Sequence, residues 1–85
     1  MATAHQIIKQ IEIEISDLCG ETSGSPLTNR EVDRIVNAVF GVYEEAELRL
    51  ALEQCSRAGY KNEQRIIQYL LADMAEQRTN ENWEN

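Results

Sequence analysis

The sequence predicts an all-α protein, a compact bundle of three or four helices that self-associates. Twice a threonine stands three residues before a Gln or Glu and opens an apolar run: Thr3 before Gln6, and Thr28 before Glu31. This is the capping box, in which the hydroxyl accepts the N3 amide and the N3 side chain accepts the cap amide. Apolar residues then recur in steps of three and four, the period of a helix with one buried face. Gly20 and Gly59 stand where those stripes stop, as helix C-termini favour. A chain of 85 residues is one small domain. It buries roughly 60–65% of the surface it exposes unfolded, and a second copy would widen its thin margin.

The first helix is expected over Ala4–Leu18. Ala4, Ile8, Ile11, Ile15 and Leu18 form its seam, and Ile7 and Cys19 widen that face. Ile13 falls on the opposite side, between Glu12 and Glu14. A strand over Gln10–Ser16 competes there, because polar and β-branched residues alternate. Length decides for the helix: fifteen residues with a signal at each end, against seven. Residues Glu21–Leu27, with Gly24 and the sole proline Pro26, form a loop.

The second helix opens at Thr28 and carries Val32, Ile35, Val36, Val39, Phe40 and Tyr43 on one stripe. Further on, Leu48, Ala51, Leu52 and Cys55 lie well round the helix, while Ala46 and Leu50 keep to the first face. One helix from Asn29 to Ala58 would be about 45 Å long at 1.5 Å per residue, too long for so small a domain. A break near Gly41 is the better solution, with a new start at Tyr43 and Glu44, Glu45 and Glu47 in a first turn favoured by the helix dipole. After Gly59, Asn62 is expected to cap a last helix over Glu63–Arg78, whose stripe is Ile66, Ile67, Leu70, Leu71 and Met74. Tyr69 and Ala72 fall off it. The domain thus spans 1–78, and polar residues 79–85 are expected to be a disordered acidic tail.

Fifteen acidic and eight basic side chains leave a net charge of −7, spread along the chain. That disfavours direct binding to nucleic acid or anionic membranes and favours basic partners. No window is apolar enough to span a membrane, and the N-terminus lacks the basic-then-apolar pattern of an export signal. Cys19 and Cys55 are then expected as free thiols packed in the core of a cytoplasmic protein.

Reactive chemistry has little to work with. His5, expected at the surface, is the only histidine. No cysteine cluster supplies zinc spacing, and no nucleophile has a base. The Gly20–Ser25 loop carries Glu21 where a phosphate loop needs lysine, and Asp17 and Glu21 are too few for a calcium loop. No enzymatic activity, cofactor or metal is expected. The segment Ile66–Leu71 resembles the last helix of ubiquitin-associated domains over those few positions. The Phe40-Gly41 pair reverses that family's order, so no role carries over.

What remains is contact with another protein. The expected function is that of a non-catalytic adaptor, assembly factor or regulator, homodimeric and acting through helix faces. Ile13, Tyr60 and Tyr69 are its partner-binding residues, since off-stripe apolar side chains and exposed tyrosines are frequent interface anchors. Trp83 could hang free or dock on a partner. The alternative is a nucleic-acid mimic of the kind used by mobile elements. It would set Glu12, Glu14, Asp17, Glu44, Glu45 and Glu47 in the basic site of a DNA- or RNA-binding host protein.

Overall fold

The computed structural model describes the backbone of residues 2–20 and 26–83, and the side chains of these except Cys19 and 77–83. Four helices follow in order: α1 (Ala4–Cys19), α2 (Asn29–Val39), α3 (Glu45–Ala58) and α4 (Lys61–Trp83). The described residues form the expected all-α bundle.

Both threonine caps close as boxes. Gln6 N–H reaches Thr3 Oγ1 at 3.2 Å and Thr3 N–H reaches Gln6 Oε1 at 3.0 Å. The Thr28/Glu31 pair repeats this at 3.2 and 2.9 Å. In α1, Ile11 and Ile15 are buried while Ile13, between them, is 46% exposed. A strand would put all three on one face, so helical phase has overruled local alternation.

The middle segment breaks. Val39 ends α2, Phe40 is extended, and Gly41 turns the chain at φ 84°. The new helix starts at Glu45 with Glu44 as its cap, later than the Tyr43 expected. Glu47 supplies the reason, because its Oε1 accepts Glu44 N–H at 2.9 Å. With the helix interrupted, Leu50 loses the phase that linked it to the α2 stripe and stands 62% exposed.

Gly59, left-handed at φ 78°, ψ 24°, ends α3. Cys55 O accepts both Gly59 N–H at 2.9 Å and Tyr60 N–H at 3.1 Å, and Tyr60 O then accepts Gln64 N–H, so α4 follows at once. Asn62 lies inside α4 and is not its cap. Its Oδ1 accepts Leu27 N–H at 3.1 Å, and Arg65 donates to Leu27 O at 2.6 Å and to Asn29 Oδ1 at 3.2 Å. These bonds seat the start of α2 on α4. The last helix runs on to Trp83, past Arg78, where the apolar stripe suggests an end and an unstructured tail. No glycine or proline follows Gly59 to stop it.

α1 and α4 each pack on both α2 and α3, while α2 and α3 do not pack on each other. Between them lie Ile7, Ile8, Ile11 and Ile15 from α1, Leu27, the Val32–Val39 stripe of α2, Leu48, Ala51 and Cys55 from α3, and Ile66, Ile67 and Leu70 from α4. Phe40, Tyr43, Leu52, Leu71 and Met74 close its edges. Among the described residues no buried side-chain nitrogen or oxygen lacks a partner. The molecule measures 46 × 25 × 19 Å.

Candidate functional site

Tyr69 follows Ile66 by one helical step, which sets it at the edge of the α4 stripe and beside α2. Its ring is 47% exposed. Together with α2 it lines an open groove of about 460 Å³, which includes Val32, Val36 and the charged Arg30, Asp33 and Asp73. The arrangement sets a large amphipathic ring beside buried valines, framed by charges of both signs.

Tyr60, 44% exposed, lies at the α3–α4 corner. It shares a second groove, of about 350 Å³, with Pro26, Lys61, Glu63 and Arg65. No residue lines both grooves. Ile13 lines neither, and stands on the outer side of α1 among exposed Lys9, Glu12, Ser16 and Asp17. The three residues singled out in the sequence are therefore all exposed, but they occupy separate surfaces. Val42, 61% exposed, and Leu50 were not among them. Val42 lies in the break itself, and Leu50 is exposed on an α3 that starts afresh at Glu45 instead of continuing the phase of α2.

The six carboxylates divide. Glu12, Asp17 and Glu44 are exposed. Glu14 accepts from Gln10 Nε2 at 3.2 Å, and Glu45 pairs with Arg49 at 3.1 Å. Glu47 is turned inward, 9% exposed, and its Oε2 accepts Ala2 N–H at 2.8 Å. The amides of Glu44 and Ala2 hold its pKa below the usual value. Nearby Tyr43 is pushed above its ordinary value, chiefly by burial and then by Glu14 and Glu47. Glu47 thus ties the chain start to α3.

Cys55 is a free, fully buried thiol, pushed up to about 11 by burial and by Glu63 and Glu12. A thiol so shifted is inert at neutral pH. The expected core position of Cys19 lies outside the described residues. His5 is exposed, as expected. Among the described residues no group of three or more His, Cys, Asp or Glu could hold a metal ion, and no helix is long and apolar enough to cross a membrane. No protein-family model, curated protein or solved structure matches the chain.

Proposed function

We propose that this protein is a non-catalytic interaction module that binds another protein through its helix faces, with Tyr69 in the α2/α4 groove as the main anchor. The observation that carries this is a half-exposed tyrosine that lines one groove with buried Val32 and Val36 and with the charged Arg30, Asp33 and Asp73. Such a ring gains contact area on binding at little entropic cost, and the mixed rim selects a partner by charge. Ile13 and Tyr60 extend the contact on other faces, as a homodimeric adaptor, assembly factor or regulator working in the cytoplasm would require. Mimicry of nucleic acid has weaker support. Glu47 is spent inside the fold, and Glu45 and Glu14 already have partners on their own helices.

Salt separates the two. The tagged protein is used to capture partners from native host lysate, with nuclease, at low and high salt, read by mass spectrometry. A salt-resistant partner lost on Tyr69→Ala supports the helix-face reading, because apolar contact is little screened. A basic nucleic-acid-binding protein released by salt and lost on Glu12→Lys/Glu44→Lys would overturn it in favour of mimicry.

A further inference from the structure

One side of α3 is covered by no described element, because α1 and α4 pack on this helix and α2 does not. The middle of that side is apolar. Leu50 is 62% exposed, Ala46 one turn earlier is exposed too, and exposed Val42 stands just ahead of the helix. Beside this ridge runs a second one, Glu45, Arg49, Glu53 and Arg57, each four residues after the last and alternating in sign. Arg49 pairs with Glu45 at 3.1 Å and Arg57 with Glu53 at 2.7 Å, which keeps the row in order along the helix. The opposite flank, Gln54 and Ala58, is exposed and carries no charge.

We infer that this face docks a second copy of the chain, α3 against α3 and antiparallel. The charged row is its own complement when reversed. Glu45 then comes opposite Arg57 of the second copy, and Arg49 opposite Glu53 of the second copy. A two-fold axis across the helices makes each of these contacts twice and brings the same flank of both together. A parallel copy would set the row against Gln54 and Ala58, where it meets no charge. The charges thus fix the orientation, as flanking charges do in paired helices. The row is centred on position 51, which brings Leu50 of both copies together beside the axis. Net charge favours the same face. Two molecules of charge −7 repel, and they approach best where local charge cancels. The four charges of the α3 row cancel, whereas Ile13 stands among Lys9, Glu12 and Asp17, and Tyr69 among Arg30, Asp33 and Asp73. Fourteen residues give a face about 21 Å long and about 10 Å wide. That falls short of the roughly 800 Å² each partner buries in a standard interface, so the dimer is reversible and set by concentration. The inference rests on the homodimeric part of the proposed reading, gives it a surface, and leaves the Tyr69 groove to the other protein.

The test is sedimentation equilibrium from micromolar to millimolar protein, with reductant present and circular dichroism to check that each variant is helical. Wild type should pass from monomer to dimer over that range, and Leu50→Asp should remain monomeric. Arg49→Glu and Glu53→Arg each set like charges opposite one another and should weaken the dimer about tenfold or more. An equimolar mixture of these two variants restores every opposed pair and should dimerise as wild type does, a rescue that misfolded chains would not show. Tyr69→Ala should leave the equilibrium where it is. Monomer at every concentration, charge variants that dimerise like wild type, or a mixture no stronger than its components would overturn the inference. Loss of the dimer on Tyr69→Ala would overturn it too, by placing the second copy in the groove. A wild type that stays monomeric yet captures its partner through Tyr69 would sink this inference alone.

Discussion

Ile11, Ile13 and Ile15 provide the sharpest test of the fold, because identical side chains alternate along α1 and only helical phase makes them unequal. Replacing Ile by Ala removes three carbons, worth about 0.8 kcal/mol each when fully buried. At Ile11, with 0% exposure, that is about 2.4 kcal/mol, and the cavity raises it to about 3–4 kcal/mol. Ile15, at 7%, should cost nearly as much. At Ile13, 46% exposed, only about half of the transfer term is lost, no cavity forms, and alanine's better helix propensity returns some of it. The expected cost there is about 0.5–1 kcal/mol. A domain of this size has a total stability of only about 4–13 kcal/mol, so Ile11→Ala approaches the limit of what it tolerates. Ile→Val at each site offers a gentler series, about 1 kcal/mol at 11 and 15 and a few tenths at 13. Urea unfolding followed at 222 nm, at two protein concentrations, reads these values directly. Equal costs at 11, 13 and 15 would refute the helical phase of α1 and restore the strand over Gln10–Ser16. A cost at Ile13 that grows with concentration would instead place a second copy on that face.

Three further expectations share the same assay or a simple variant of it. Gly59→Ala adds a Cβ with nothing within 4 Å, so its cost is the left-handed backbone alone, about 1–2 kcal/mol, and Gly59→Asn should lose less; no change in melting temperature would contradict the corner. Glu47→Gln should destabilise at pH 7 and converge on wild type in acid. The Glu47 carboxylate has a depressed pKa, and its contribution is lost as pH falls through the folded value; a difference persisting unchanged at pH 2 would argue against the bonds to Ala2 and Glu44. In a Cys19→Ser background Cys55 should resist disulfide reagents at pH 8, where a pKa of about 11 leaves about one thiolate in a thousand. Its labelling should follow unfolding, and rapid labelling of the native protein would show the core to be open.

The parts legible in the sequence are those written in local chemistry. Thr3 with Gln6, Thr28 with Glu31, and Gly59 announce helix ends because the partners lie within one turn. The α2 stripe is equally plain, and all of Val32, Ile35, Val36 and Val39 are buried. Contacts between distant parts of the chain are the ones that escape. Glu47 reads as one of three dipole-favoured glutamates, yet its second oxygen serves Ala2, 45 positions away. Asn62 has the right residue type for a cap, but it is drawn to Leu27 across 35 positions because the chain returning from α1 needs an anchor there. Leu50 keeps to the face of the α2 stripe by phase, but that phase ends at Gly41. For the candidate site, Ile13 and Tyr69 read as exposed because they are off the stripes, and Tyr60 because it stands beside Gly59. That Tyr69 shares a groove with Val32 and Val36 depends on how α2 and α4 are laid together, which periodicity does not encode.

The absence of packing between α2 and α3 bears on the order in which this chain assembles. Helices adjacent in sequence usually stabilise each other early, because little loop entropy stands between them. Here the Phe40–Glu44 connection joins two helices that are no help to one another, while α3 and α4 meet across a two-residue corner. The α3–α4 hairpin is thus the natural nucleus, and α2 gains its place against α1 and α4 rather than against α3. Destabilising changes in α3 or α4 should slow folding, and those in α2 should chiefly hasten unfolding.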